Sequence, residues 1–544
     1  MSGLPGTMMS FPLTLTHLLE RAGRLFPGIE IVSRLPDHGL HRYTYGDFYP
    51  RARRLAEALQ RAGLRPGDRV ATLMWNHSTH LEAYFGVPCA GGVLHTLNIR
   101  LHAAELAYIA RHAGDRFLIV DDVLLPVLET FRAPAHFERI FVAPYSRQPA
   151  EGWPAGAENY ESLLAQATGD FDWPALDENS AATMCYTSGT TGVPKGVLYS
   201  HRAIVLHTLA MALEDAFGFR QSDVVMPVGS MFHANSWGYP FAAVMVGAKL
   251  VFPGPYVDAE SLLELCEREQ VTLSSGVPTV WIGVLDALNK ERGRWKLAPG
   301  MRTASAGSAV PESLFRGLDQ HGIHVMQLWG MTETAPLATA CHLSSWMGKL
   351  DENEQYRIRA LQGRPVPYVE TRAVADGREI PWDDTTMGEL QVRGPWVASS
   401  YYNFPESHNR WTDDGWFLTG DVVTISPDGY IHITDRSKDL IKSGGEWISS
   451  VDLENALMGH PAVREAAVVG IPHPKWQERP LAVVVAREGP QPTPDELREF
   501  LAKKFAKWQL PDAFVFVEAI PKTSVGKFRK AKMREEYAGW KWQT

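Results

Sequence analysis

The sequence predicts an α/β protein, with a large domain of helix-covered, mostly parallel sheets and a small α+β domain at its end. Short apolar segments alternate with helical patterns over the first 143 residues, as in parallel sheets that helices cover on both faces. The chain has 544 residues, which is too long for a single hydrophobic core. The alternation returns in about the last 110 residues, a common size for a small domain.

Helical and strand patterns follow each other along the chain. Apolar residues at helical spacing predict helices over Leu15–Ala22 (with Gly23 as its stop), Ala52–Leu59, Glu82–Ala90, Ala104–Ala113 and Leu124–Phe131. Apolar segments after turn residues predict strands over Arg69–Met74, Gly91–Leu94, Phe117–Val120, Ile140–Ala143, Val224–Val228, Lys249–Phe252, Thr272–Pro278 and Gly388–Pro395. In the small domain, the predicted strands are Ala466–Ile471, Leu481–Val485 and Phe514–Val517, and the predicted helices are Val451–Met458 and Pro494–Phe505.

The composition excludes several classes of protein. A net charge of −9 argues against a general nucleic-acid binder, which carries a basic excess. The N-terminus has no basic region followed by an apolar one, and no stretch of about 18 apolar residues appears, so we expect neither a signal peptide nor a transmembrane segment. We therefore expect a cytoplasmic protein, and peripheral contact with a membrane stays open.

The cysteines and histidines of the first half are predicted to be structural. The four cysteines lie far apart, without the spacing of a zinc site or a disulfide framework. His95, His102 and His112 lack a spacing that places two of them on one helical face beside a carboxylate. We therefore expect core thiols in a reducing compartment and no metal site at these histidines.

The segment Tyr186–Gly196, here called the signature loop, gives the clearest indication of function. It combines hydroxyl side chains and glycines with Lys195, directly after an apolar strand pattern. Glycines let backbone N–H groups approach an oxyanion, hydroxyls donate short hydrogen bonds, and the lysine adds a positive charge. This chemistry predicts a polyphosphate-binding loop, although the spacing is not that of a Walker A loop. Composition alone is typical of a linker, so the order of the residues carries the prediction.

That order, Thr-Ser-Gly-Thr-Thr-Gly-x-Pro-Lys-Gly, resembles the phosphate-binding signature of the acyl-adenylating superfamily. This superfamily includes acyl-CoA synthetases, adenylation domains of peptide synthetases and firefly luciferase. Further motifs in the family's order extend the resemblance over essentially the whole chain: Gln327–Thr334, Thr419–Asp421, Thr434–Asp439, Ile441–Ser449 and Pro521–Phe528. The resemblance implies a large domain over residues 1–434 that includes a small β-subdomain, a hinge at 435–440, and a mobile lid domain over 441–544.

The resemblance also implies an ATP and Mg²⁺ site in the large domain. The residues that match the family's phosphate grip are Thr187, Ser188, Gly189, Thr190, Thr191, Gly192 and Lys195. Thr187 and Glu333 would hold Mg²⁺, which prefers oxygen ligands and few protein contacts. Gly307, Gln327, Leu328, Trp329 and Thr332 would lie around the adenine, with the Trp329 ring stacked on the purine. Asp421 would accept from both ribose hydroxyls, and Arg436 would reach ATP.

Other positions match the family's acid, hinge and CoA residues. His233 would lie beside the reacting carboxylate, Trp237 would form a wall or gate of the acyl tunnel, and Gly238 belongs to the same segment. Lys527 matches the catalytic lysine of adenylation, and Lys438 matches the hinge pivot. The residues expected to face CoA are Lys442, Gly444, Gly445 and Trp447. The basic residues near Lys527 (Lys522, Arg529, Lys530, Lys532 and Arg534) are expected to form a solvated helix face, with contact to the CoA 3′-phosphate as the alternative.

The implied reaction has two steps. A carboxylate attacks the α-phosphate of ATP to give an acyl-adenylate and pyrophosphate, and the CoA thiol then displaces AMP. The segments Ile441–Ser449, Pro474–Pro480 and Ala506–Pro511 are similar to bacterial medium- and long-chain fatty-acyl-CoA synthetases, so a fatty acid is the expected substrate. The alternative is 3-methylmercaptopropionate or another short-chain acid. A homodimer is carried over from the family.

Three hypotheses from other classes have less support. A luciferase-like oxygenase would need oxygen chemistry after adenylation, and a peptide-synthetase module would need a carrier domain. A protein that binds but does not react would lack Lys527, Glu333 or Asp421, and the sequence has all three.

Overall fold

Strands and helices alternate along the first 330 residues, as the sequence predicts. The computed structural model describes residue 4 and residues 6–147, 153–187, 193–444, 446–524 and 526–542. In chain order, the first elements are α1 (Leu15–Leu25), β1 (Glu30–Arg34), β2 (Leu40–Thr44), α2 (Tyr45–Arg61), β3 (Arg69–Leu73), α3 (Ser78–Cys89), β4 (Val93–Thr96), α4 (Ala103–Ala113), β5 (Asp115–Asp121), α5 (Leu125–Glu129), α6 (Arg132–Ala135), β6 (Arg139–Ala143), β7 (Ala157–Asn159), α7 (Tyr160–Ala165) and β8 (Ala181–Tyr186).

The middle of the chain continues the same alternation and then changes to strands alone. Its elements are β9 (Gly196–Ser200), α8 (His201–Met211), β10 (Val224–Pro227), α9 (Tyr239–Val246), β11 (Lys249–Phe252), α10 (Ala259–Glu269), β12 (Leu273–Gly276), α11 (Pro278–Lys290), β13 (Met301–Ser305), α12 (Glu312–Asp319), β14 (Ile323–Trp329), β15 (Thr339–Ala340), α13 (Glu352–Arg359), β16 (Arg364–Pro365), β17 (Glu370–Ala375), β18 (Arg378–Glu379), β19 (Gly388–Arg393), β20 (Phe417–Ile425) and β21 (Ile431–Arg436).

The last part of the chain is a small α+β unit. It contains β22 (Ile441–Ser443), β23 (Glu446–Ile448), α14 (Ser450–Met458), β24 (Val463–His473), β25 (Gln477–Ala486), α15 (Pro494–Ala502), β26 (Ala513–Phe516) and α16 (Lys530–Glu536). The long hairpin β24–β25 forms the centre of its sheet, β22 pairs with β25 in antiparallel orientation, and β26 pairs with β25 in parallel.

One sheet of the large part carries the signature loop. Its strand order is β7-β6-β5-β3-β4-β8-β9, parallel except for β9. Strands β3 and β5 are buried on both faces, which explains why they read as nearly continuous apolar segments. The signature loop connects β8 to β9, so both ends of this loop are fixed by neighbouring strands.

The second large sheet has the order β16-β15-β14-β13-β12-β10-β11-β1-β2, with a parallel central block from β14 to β1. A third, antiparallel sheet of order β18-β17-β19-β20-β21 forms the small β-subdomain. The predicted fold class is therefore confirmed. Among the described residues, every helix is too short or too polar to cross a lipid bilayer.

Two predicted helix C-termini are wrong by three residues, and α2 and α3 begin seven and four residues before their predicted starts. Helix α1 continues through Gly23 to Leu25, and a side chain at position 23 would collide with Tyr49, since its Cβ would lie 2.4 Å from the ring carbon Cγ. Gly23 thus allows α1 to approach α2 closely and does not end the helix. Helix α15 ends at Ala502, three residues before the predicted end.

Candidate active site

A cavity of about 1300 Å³ lies where the two large sheets, the β-subdomain and the small C-terminal unit meet. Its volume exceeds that of a usual single-ligand pocket, roughly 300–1,000 Å³, so it has room for more than one substrate. Most of the predicted site residues line it: Thr187, Lys195, His233, Trp237, Gly307, Gln327, Leu328, Trp329, Thr332, Glu333, Asp421, Arg436, Lys438 and Lys527. Residues separated by more than 300 positions in the sequence therefore share one space.

The described ends of the signature loop hold each other in place. The Thr187 N–H donates to the Lys195 carbonyl at 2.9 Å, and the Lys195 N–H donates to Thr187 Oγ1 at 3.3 Å. The Lys195 ammonium lies 5.0 Å from the ring centre of Tyr401 and 5.2 Å from that of Phe404. These cation–π contacts keep the lysine close to the cavity. Ser188, Gly189, Thr190, Thr191 and Gly192 lie outside the described residues.

The residues predicted for adenine and ribose come from neighbouring strand ends. Trp329 closes β14, while Asp421 and Arg436 face each other on the paired strands β20 and β21. The Trp329 indole N–H donates to Asp421 Oδ2 at 2.9 Å, and Arg436 Nε lies 3.2 Å from Asp421 Oδ1. Each carboxylate oxygen therefore has its own donor, which fixes the orientation of Asp421. No local pattern indicated the bond from Trp329 to Asp421, because the two residues lie 92 positions apart.

Glu333 occupies the short 3-10 turn Thr332–Thr334 at the cavity wall and is 5% exposed. Its Oε1 accepts a hydrogen bond from the Tyr401 hydroxyl, while Tyr199 fixes the turn by donating to the Thr332 carbonyl at 2.6 Å. The described residues contain no cluster of three or more His, Cys, Asp or Glu that could hold a metal. One carboxylate with a nearby hydroxyl fits Mg²⁺, which takes its other ligands from phosphate and water.

The segment that carries His233 and Trp237 contains a left-handed turn. Positive φ angles run through Ala234, Asn235, Ser236 and Trp237, at 42°, 51°, 49° and 56°. Each such residue costs roughly 1–2 kcal/mol, so other contacts must hold this conformation. Asn235 supplies two of them, since its Nδ2 donates to Thr183 Oγ1 at 2.8 Å and its Oδ1 accepts from the Cys185 thiol at 3.3 Å. The turn is thereby attached to β8, the strand that leads into the signature loop.

Gly238 completes that turn behind the cavity wall. It has a φ of +81°, and a Cβ there would lie 2.7 Å from His207 Cε1. Glycine is therefore required by both the backbone angle and the space. Gly238 is not among the residues that line the cavity, so its link to the acid is through the shape of the turn.

Lys527 reaches the cavity from the loop before α16. A Cβ on Gly307 would lie 3.2 Å from Lys527 Cε, which places the lysine against the predicted adenine side. Burial and the nearby Arg436 lower the pKa of Lys527 to about 8, against the opposing effect of Asp421 and Glu333. Burial and Lys527 lower the pKa of His233 to about 3. His233 is therefore neutral at physiological pH, and Lys527 is the cation beside it.

Comparison with known proteins identifies the family of the chain. Residues 19–402 match the family model of the AMP-binding enzyme, and residues 452–527 match the model of the AMP-binding enzyme C-terminal domain. The chain belongs to the AMP-binding enzyme family.

The relatives in this family indicate which reaction the chain catalyses. A long-chain-fatty-acid–CoA ligase of Thermus thermophilus is 50% identical over 99% of this chain and 98% of its own length. A 3-methylmercaptopropionyl-CoA ligase of Ruegeria lacuscaerulensis is 45% identical over 98% of each chain. A crystal structure of an anthranilate CoA ligase with anthranoyl-AMP superposes with a TM-score of 0.86 at 25% identity, covering 97% of this chain and 98% of the other. The chain is thus an acid–CoA ligase that acts through an acyl-adenylate and uses ATP and CoA, as the sequence predicts.

The residues predicted to face CoA lie away from the cavity of this AMP-binding enzyme. Lys442, Gly444 and Trp447 belong to the hairpin β22–β23, outside the cavity lining, and Gly445 lies outside the described residues. Trp447 is 40% exposed, with the Lys442 ammonium 4.8 Å from its ring centre. The Lys442 and Trp447 side of the hairpin is therefore exposed, and of the predicted catalytic and CoA-facing residues of the small unit that the structure describes, Lys527 is the one that lines the cavity.

The predicted solvated face of basic residues is only partly correct. The Lys530 side chain is only 12% exposed and pairs with Glu454 at 2.8 Å, while Lys522 pairs with Glu465 at 2.7 Å and Arg534 with Asp439 at 2.6 Å. The acidic partners come from distant parts of the chain, which is why the pattern of the helix alone did not indicate them.

Proposed function

We propose that the acid is a medium- or long-chain fatty acid. The observation that carries the proposal is a set of apolar side chains that line the same cavity as His233, namely Phe217, Trp237, Ile282 and Leu337. Each buried CH₂ contributes about 0.8 kcal/mol, roughly a fourfold gain in affinity, so such a lining favours longer chains. The 50% identity with a long-chain-fatty-acid–CoA ligase supports the same conclusion.

For the first step, we assign the cavity residues as follows. Asp421 accepts from the ribose hydroxyls, the signature loop holds the phosphates, and Gly307, Gln327 and Leu328 border the adenine beside the Trp329 ring. Glu333 and Thr187 would hold Mg²⁺, which would neutralise charge on the phosphates. Lys527 donates to the bound carboxylate and to the negative charge that develops on the α-phosphate oxygens, which a fixed cation stabilises strongly in a site shielded from water. His233 orients the carboxylate as a neutral imidazole.

For the second step, we assign a rotation of the lid domain about Lys438. The rotation removes Lys527 and brings Lys442, Gly444, Gly445 and Trp447 to the adenylate, where the CoA thiol displaces AMP. Such a movement is a hinge rotation between rigid units. The domain boundaries 1–434, 435–440 and 441–544 belong to this proposal, and the homodimer stays a prediction.

A second candidate substrate is 3-methylmercaptopropionate. The 45% identity with a ligase named for this acid supports it. The two candidates differ in length. A short thioether acid would contact only part of this apolar lining, while a fatty acid would contact more of it.

The test is ATP-, Mg²⁺- and CoA-dependent release of AMP with saturated acids from C3 to C18 and with 3-methylmercaptopropionate. We expect the largest kcat/KM at C8–C16. A maximum at C3–C5 or with the thioether acid would replace the fatty acid by the second candidate. Trp237→Ala should shift the chain-length profile, whereas Trp346→Ala, at an exposed tryptophan outside the cavity, should not. An unchanged profile in Trp237→Ala would remove Trp237 from the acyl wall.

A further inference from the structure

The loop that carries Lys527 is hydrogen-bonded at Ser524 to the turn between β4 and α4 of the large domain. The Asn98 side chain donates from Nδ2 to Ser524 Oγ at 3.0 Å. The Arg100 guanidinium donates from Nη1 to the Ser524 carbonyl at 3.0 Å. The turn thus holds both the side chain and the backbone of a residue three positions before Lys527.

Hydrogen bonds within the large domain hold the turn that contains Asn98 and Arg100, independently of the lysine loop. The Arg100 N–H donates to Asn98 Oδ1 at 3.1 Å, and the Leu97 N–H donates to the Thr72 carbonyl at 2.9 Å. The Arg100 guanidinium also lies 5.9 Å from the ring centre of Phe232, the neighbour of His233. One side chain therefore connects the acid-binding segment with the lysine loop.

Hydrogen bonds within the loop couple the position of Ser524 to that of Lys527. The Thr523 N–H donates to the Lys527 carbonyl at 2.7 Å, and the Lys527 N–H donates to Thr523 Oγ1 at 3.1 Å. The Gly526 N–H donates to the Thr523 carbonyl at 3.0 Å. A displacement of Ser524 therefore moves the Lys527 backbone with it.

We propose that Asn98 and Arg100 form a docking seat for the lysine loop, and that they are positioning residues for adenylation alone. The inference rests on the proposed role of Lys527. In the second step, Lys527 leaves the cavity and the contacts with Ser524 break. The seat therefore stabilises the arrangement that forms the adenylate and contributes nothing to attack by CoA.

The test separates the two half-reactions of the full-length enzyme. Acid-dependent ATP–pyrophosphate exchange measures adenylation, and conversion of a preformed acyl-adenylate with CoA measures thioester formation. A hydrogen bond of this kind is worth about 1 kcal/mol, so Arg100→Ala and Asn98→Ala should each lower the kcat of exchange roughly five- to tenfold. Thioester formation and the KM for ATP should stay within about twofold of wild type. Arg294→Ala, at an exposed arginine far from the loop, is the matched control.

The proposal would be overturned if Arg100→Ala and Asn98→Ala slowed both half-reactions equally, or if they left the exchange rate unchanged. A raised KM for ATP with unchanged kcat would also overturn it, because Arg100 would then be a nucleotide ligand. A double-mutant cycle adds a check that a general loss of stability does not mimic. If Asn98 acts through Ser524, Ser524→Ala should cost little more once Asn98→Ala is present, while additive losses would contradict the seat. Lys527→Ala serves as a reference: if it retains exchange, the proposed role of Lys527 fails, whatever Arg100→Ala shows.

Discussion

Asp421 and Lys527 line the same cavity, but Asp421 projects from a paired strand and Lys527 from a loop. Each carboxylate oxygen of Asp421 has a donor on a strand: the Trp329 indole at the end of β14 and the Arg436 guanidinium at the end of β21. The Lys527 loop is hydrogen-bonded at Ser524 to two side chains of the large domain, Asn98 and Arg100. The nucleotide side is thus fixed by strand pairing, and the lysine side is held by a few contacts that can be broken.

This difference suits an enzyme that carries out two reactions on one bound intermediate. The adenylate has to stay in place between the steps, so its binding groups belong on rigid elements. The role proposed for Lys527 is confined to the first step, so this lysine belongs on a part that can leave at little cost. We therefore expect substitutions on the two sides to affect different kinetic constants.

The largest effect is expected from Lys527→Ala. Loss of a cation aimed at the developing charge should lower the rate of adenylation by about 10²- to 10³-fold. Thioester formation from preformed acyl-adenylate should change less than threefold, since the lysine is away from the site in that step. The measurement is single-turnover kinetics of each half-reaction. Lys503→Ala, at an exposed lysine near the end of α15, is the control; equal loss in both steps for Lys527→Ala would contradict the division.

The second effect concerns pH. Lys527 acts in its protonated form, and its pKa is lowered to about 8, so adenylation should be lost as the pH rises through 8. The kcat/KM of exchange reports groups of the free enzyme, and it should fall about tenfold per pH unit above this value. A profile from pH 6 to 10 measures it. A break near pH 10, or the same break in Lys527→Ala, would show that another group titrates.

The smallest effect is expected on the nucleotide side, from Trp329→Phe. This change keeps an aromatic ring for adenine but removes the indole N–H that donates to Asp421. A hydrogen bond to a charged group is worth roughly 1.5–3 kcal/mol, so the KM for ATP should rise about tenfold or more, with kcat within threefold. The preference for ATP over 2′-deoxy-ATP should also fall, because a less fixed Asp421 recognises the ribose less well.

Trp542→Phe is the matched control for that substitution, because it removes an indole N–H that donates to the Pro472 carbonyl outside the cavity. Its KM for ATP should equal that of wild type. A loss of kcat without a change in KM in Trp329→Phe would contradict a fixed nucleotide side.

Much of the fold and of the candidate site could be predicted because the relevant pattern is local. Apolar strands such as Val70–Leu73 and helices such as α4 are indicated by the pattern of consecutive residues. Glu333, Asp421 and Lys527 each lie in a short motif of their own. The predictions failed where a distant contact decided the outcome. Gly23 lies inside a helix at a point where Tyr49 of the next helix leaves no room for a side chain, and Lys530 is shielded from solvent beside Glu454.

The sequence by itself determined the alternation of strands and helices, the family, and the residue types proposed to bind phosphate, ribose and the reacting acid. Only the tertiary structure decided how these groups are oriented. The bond from Trp329 to Asp421, the left-handed turn at Ala234–Trp237 and the contact of Arg100 with Ser524, 424 positions away, leave no local signature. The physical reason is that local propensity depends on neighbours in the chain, whereas a hydrogen bond depends on neighbours in space.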